Sequence, residues 1–85
     1  MTVEIVTPEK VLVSRDNVSK LNAPGICGDF GIWKNHASFV TMLGDGEISF
    51  ETEEESEKCK VVVKDGFFSV IENKIIILAE KGEIL

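Results

Sequence analysis

An 85-residue chain with 44% hydrophobic and 28% charged residues has room for one domain and the composition of an ordered globular protein. Its formal charge of −6, with nine basic residues scattered along the chain, disfavours nucleic acid and anionic membranes as direct partners, because both need a basic face that displaces counterions. Cys27 and Cys59 form no Cys-x-x-Cys pair and are too few for a disulfide framework or a zinc site, so they read as reduced; no apolar run suits a signal peptide or a membrane span, which points to the cytoplasm.

In chain order, Thr2 to Val6 alternates Val3 and Ile5 against Glu4, Pro8-Glu9 interrupts, and Lys10 to Ser14 resumes with Val11, Leu12 and Val13, which spells two strands around a turn. Asn17 to Ala23 is a weaker third strand, closed by Pro24-Gly25, a dipeptide that favours a turn. In the glycine-rich stretch that follows, GDFGIWKNHASFV, Gly28 and Gly31 bracket Asp29-Phe30 and predict a sharp reversal with exposed backbone. Trp33 and Phe39 supply contact area of the kind enriched at protein interfaces, with Trp33 equally readable as core. Gly44-Asp45-Gly46 is a tight turn leading into Glu47 to Thr52, whose clean alternation puts Ile48, Phe50 and Thr52 on one side.

Lys58 to Val63 answers that strand with Cys59, Val61 and Val63, and the acidic Glu53 to Glu57 forms the solvated loop between them. The last pair, Phe67 to Glu72 and Lys74 to Ala79, turns at Glu72-Asn73-Lys74, where Asn73 tolerates the left-handed conformation. Ile75 to Leu78 is apolar on both faces, so this strand is either central or covered on its outer side by another protein. Eight or so short strands with almost no helix signal indicate an all-β fold, an antiparallel β-sandwich or flattened barrel of about eight to ten strands.

The inventory for chemistry is thin. His36, the sole imidazole, could act as a base oriented by Asp29 or Asp45, yet no Ser or Cys sits at a nucleophile turn. Gly25 to Gly31 lacks the Lys-Ser/Thr and the helix of a phosphate cradle, and neither Glu51 to Glu57 nor Gly44-Asp45-Gly46 has the ligand spacing of a calcium loop. Cys27 has no adjacent cation to stabilise a thiolate and reads as a small buried or half-buried side chain. No catalytic residue, cofactor site or metal site is expected. A free-standing β-sandwich that binds a small ligand or peptide remains the alternative to a protein-interaction role.

The residues Gly28-Asp29-Phe30-Gly31-Ile32-Trp33-x-x-His36-Ala37-x-Phe39-Val40-Thr41 resemble the G-E-L-G-I-Y-P-G-H-A-P-L-L-T signature of the epsilon subunits of F-type ATP synthases. The likeness continues through Lys64 to Val70, through Ile75 to Glu80, which is similar to the family's V-T-V-L-A-D strand, and through the opening Val3 to Glu9. Lys34-Asn35 and Ser38 depart from the family's Pro-Gly and Pro, and Asp29 stands where the family has Glu. Members usually carry two carboxy-terminal helices, whereas this chain stops at Glu83-Ile84-Leu85; residues 1–85 are expected to be a single β-sandwich, without the helices that insert into the catalytic head and inhibit hydrolysis.

The resemblance implies a ten-stranded β-sandwich, a non-catalytic part of the rotor's central stalk that couples rotation of the c-ring to the gamma subunit for ATP synthesis driven by protons or sodium ions. It implies gamma-subunit contacts at Thr7, His36 and Thr41, and a c-ring contact at Asp29 with Phe30 beside it. It also implies a peripheral position at the cytoplasmic face of the bacterial inner membrane.

Overall fold

A computed structural model of the protein describes residues 1–33, 38–53 and 58–85. These run through eight strands: β1 (Thr2–Val6), β2 (Val11–Arg15), β3 (Val18–Gly25), β4 (Gly28–Trp33), β5 (Phe39–Met42), β6 (Gly46–Thr52), β7 (Lys58–Ile71) and β8 (Lys74–Ile84). Their order is β2-β1-β8-β7-β6-β3-β4, with β5 also on β7. Every pairing is antiparallel except that of β1 with β8.

The architecture follows from a corner in its two longest strands. β7 and β8 hold one register from Val61↔Ile84 to Ile71↔Lys74. Yet the buried side of β7 changes from Val61 and Val63 to Phe68 and Val70, odd numbers to even, and β8 changes with it after Ala79. Side chains of a strand alternate with period two, so only a local break in backbone geometry can invert that alternation. Asp65, with φ 53°, is that break. On the other edge of β7, β6 pairs with 58–63 and β5 pairs with 67–70.

The ladder therefore folds into two sheets that share β7 and β8. The first holds β5, residues 66–71, residues 74–79, β1 and β2; the second holds 81–84, 58–64, β6, β3 and β4. Val3, Ile5, Phe68, Val70, Ile75 and Ile77 from the first sheet face Val18, Leu21, Ile32, Ile48, Val61 and Val63 from the second, all nearly sealed from water. Phe68 is the hub of an aromatic group, with ring centroids 5.1 Å from Phe30 and 5.5 Å from Phe39. At the corner Leu12 covers Gly82 so closely that a Cβ there would overlap its Cδ1.

Three sequence expectations need correction. Lys58 to Val63 and Phe67 to Ile71 belong to one 14-residue strand, with Glu72 in the turn that follows; the alternation inverts across Lys64-Asp65-Gly66, so one strand reads as two in sequence. Pro24-Gly25 is not the turn that closes β3, since Pro24 pairs with Asp29 and Gly25 with Gly28, leaving Ile26-Cys27 at the tip. Asp29-Phe30 consequently lies inside β4 and makes no reversal; the permissive backbone is needed at Gly28 alone, where φ is 130°. By contrast, Glu72 and Asn73 both have positive φ, 47° and 65°, which gives the tight two-residue hairpin expected between β7 and β8.

Candidate functional site

Residues opposite each other in a sheet share a face, so the register identifies which side chains lie together outside the sandwich. Across the first sheet Met42 pairs with Phe67, Phe67 with Leu78, Leu78 with Val6, and Val6 with Val11. This is an apolar row five strands wide. Met42, Phe67, Leu78 and Val11 are 58%, 42%, 51% and 60% exposed, and Val6 is half-buried. The adjacent row, Val40–Ser69–Ile76–Glu4, begins apolar and ends polar. β8 is thus central, the first of the two sequence readings of Ile75 to Leu78, and its outer side chain Leu78 stands in water.

The second sheet's outer face is of another kind. Trp33, Lys20, Glu51 and Lys58 form one row, and Gly31, Asn22, Ser49 and Lys60 the next. Lys20 Nζ lies 5.3 Å from the Trp33 ring centroid, and Lys60 Nζ is 3.7 Å from Glu47 Oε1. Trp33 is exposed, lying across Gly31, and is not core filler. Charged side chains and a flat ring dominate this face, and Val62, flanked by Glu47 and Glu83, is its exposed aliphatic side chain.

The residues singled out from the sequence are dispersed. Thr7 is buried at the β1–β2 turn, where its hydroxyl donates to the Lys10 carbonyl at 3.2 Å and accepts from the Lys10 N–H at 3.3 Å. Thr41 is half-buried in β5, its hydroxyl donating to the Met42 carbonyl at 3.4 Å. Asp29 is exposed on the outer side of β4, whereas Phe30 turns inward, edge-on to Phe39 and Phe68. Phe39 belongs to that aromatic group and is largely unavailable as open contact surface. His36 lies outside the described residues, as do Glu54 to Glu57 of the acidic loop.

Cys27 is exposed at the β3–β4 tip, not the buried or half-buried side chain expected, and beside it Ile26 is 62% exposed. Among the described residues no three His, Cys, Asp or Glu side chains converge as metal ligands would, and no helix is long and apolar enough to cross a membrane.

What sequence reasoning missed is the outer row itself. Its members come from five separate segments, and each looks ordinary alone. The signal present was the doubly apolar Ile75 to Leu78, but only the register names the neighbours Met42, Phe67, Val6 and Val11.

Comparison with known proteins adds to this geometry. The family described as "ATP synthase, Delta/Epsilon chain, beta-sandwich domain" matches residues 1–84. The chain is 39% identical over 83 residues to the ATP synthase epsilon chain of Desulfosudis oleivorans, covering 98% of this chain and 61% of that one. It is 41% identical over 80 residues to that of Syntrophomonas wolfei, covering 94% and 57%. It therefore spans less than two thirds of the length of these relatives. Its fold is that of a chain in the Euglena gracilis mitochondrial ATP synthase, with TM-score 0.87, 18% identity and coverage of 96% and 51%. A chain of the Tetrahymena thermophila mitochondrial ATP synthase central stalk and c-ring aligns with TM-score 0.79, 19% identity and coverage of 98% and 65%.

Proposed function

From the premise that the chain belongs to the ATP synthase delta/epsilon chain beta-sandwich family, we propose that it is a non-catalytic subunit of the rotor's central stalk, coupling rotation of the c-ring to the gamma subunit of an F-type ATP synthase for ATP synthesis. The observation that carries this reading is the apolar row Met42–Phe67–Leu78–Val6–Val11 on the outer face of the first sheet. A central strand whose outer side chains are apolar needs a partner to take them out of water, at roughly 25 cal/mol per Å² removed.

The gamma subunit is that partner. Thr41 immediately precedes Met42 at one end of the row, on the other side of β5, and Thr7 immediately follows Val6 near the other end, so the two gamma contacts that the resemblance implies adjoin the row in the chain. His36 is the third. Thr7, its hydroxyl already engaged by Lys10, acts by holding the β1–β2 turn against the partner. The c-ring contact is the β3–β4 hairpin, where Asp29 offers a carboxylate and the neighbouring tip presents Ile26. Phe30, packed on Phe68, stiffens the strand that carries Asp29. The subunit is peripheral, at the cytoplasmic face of the inner membrane, in keeping with its bacterial relatives.

The test is Leu78→Asp in the complete subunit, with co-purification of the gamma subunit as readout. A charge in the middle of the row should abolish the complex while the circular dichroism of the β-domain stays unchanged. Undiminished complex formation would overturn the reading.

A further inference from the structure

Beside the centre of the apolar row the surface dips into an open groove of about 380 Å³, floored by Val6, Pro8, Phe67 and Leu78. Where β7 and β8 turn the corner, Asp65 and Glu80 border that groove, and both are exposed. Neither carboxylate has a hydrogen bond or an ion pair among the described residues. Asp65 bonds through its backbone N–H, which donates to Asp45 Oδ1 at 3.0 Å, and the ion pair of Lys60 with Glu47 lies on the other outer face. No lysine lines the groove itself. Lys64 and Lys81 oppose each other just beyond the corner, and Glu80 also borders an adjoining depression lined by Glu9, Lys10 and Lys81, where it forms no ion pair among the described residues.

An apolar floor bounded by two unpaired anions is complementary to an apolar side chain flanked by a cation. Covering the floor also excludes water beside the carboxylates, which strengthens their attraction for an incoming positive charge.

We propose that this groove seats a segment of the gamma subunit carrying an apolar side chain next to an arginine or lysine, with Asp65 and Glu80 receiving the charge. The proposal rests on the coupling reading above and adds what chemistry the seated segment must have. A guanidinium suits the rim best, because its fork of N–H donors can serve two acceptors at once. The row supplies the contact area, and the rim supplies the register, since a segment shifted along the face loses the ionic contact while keeping the apolar one.

The test uses the complete subunit and the gamma subunit of the same organism, titrated at low and high ionic strength, with circular dichroism to confirm folding. Asp65→Asn with Glu80→Gln is expected to weaken binding about tenfold at low ionic strength and to remove most of its salt dependence. Asp65→Lys with Glu80→Lys should weaken it further and be rescued by changing one basic residue of the gamma subunit to Glu. If the neutralised pair binds with unchanged affinity and salt slope while Leu78→Asp abolishes binding, the rim proposal is wrong and the coupling reading stands. If Leu78→Asp also binds normally, both are wrong. Self-association of the subunit through the groove, lost on the same substitutions, would likewise overturn the proposal in favour of a second copy as occupant.

Discussion

The two outer faces of the sandwich obey different rules. On the second sheet, the row Trp33–Lys20–Glu51–Lys58 sets charges of opposite sign side by side and lays a lysine against the lone tryptophan. On the first, the row Met42–Phe67–Leu78–Val6–Val11 contains no polar side chain. The two rows draw on different strands and share only β7, which contributes Phe67 to one and Lys58 to the other. An antiparallel sheet with one wet face is expected to alternate apolar and polar along its strands, as β6 does, and on the second sheet Val62 and Trp33 are the departures. Single exposed apolar residues are commonplace, but four exposed and one half-buried in register across five strands are not. The difference separates a face finished by solvent from one that, on the reading proposed above, is finished by another protein.

The sharpest way to probe that difference lies in two adjacent phenylalanines. Phe68, fully buried and touching Phe30 and Phe39, should cost about 3–5 kcal/mol of stability when changed to Ala, measured by denaturant unfolding. Phe67, one residue away on the outer row, should cost less than about 1 kcal/mol in the same assay. Its effect is expected in association instead, where Phe67→Ala should weaken gamma-subunit binding by about 2 kcal/mol in a titration. If the two variants unfold alike, the assignment of faces is wrong.

Smaller effects test the second sheet and its hairpin. Gly28→Ala forces a side chain onto a backbone with φ 130°, and should lower stability by about 1–3 kcal/mol even though nothing stands within 4 Å of the added carbon. That loss should appear in the unfolding midpoint, and an unchanged midpoint would mean that the β3–β4 hairpin relaxes freely. Smallest of all, Lys60→Ala removes a half-exposed partner of Glu47 and should change stability by about 0–0.5 kcal/mol, a difference that high salt erases.

How much of this was legible in the sequence depended on whether a segment carries its own explanation. Glu47 to Thr52 does, because its alternation reflects one buried and one wet side, and Ile48, Phe50 and Thr52 are buried as read. The β7–β8 hairpin does too, because Asn73 marks its own turn. Asp65 does not. Its positive φ inverts the alternation while the pairing runs on, so one bent strand looked like two straight ones. The glycines misled in the opposite direction, since Gly31 accommodates the Trp33 ring inside β4 and makes no bend beside Asp29.

The candidate surface was the least legible part. Thr7, Thr41 and Asp29 were chosen by likeness to a motif, and the row between the first two depends on long-range register. Leu78 meets Val6 across a parallel pairing 72 positions apart in the chain, a relation that no local pattern encodes.

The corner at Asp65 has a mechanical meaning as well. In a sandwich whose layers touch only through side chains, a sideways push on one wall is resisted by van der Waals contacts across an oily midplane, which can slide. Here two strands cross from wall to wall without interruption, so such a push is carried along peptide bonds, as by a pair of tendons. The two outer walls cannot shear past each other without bending covalent backbone, and whatever grips one of them holds the other.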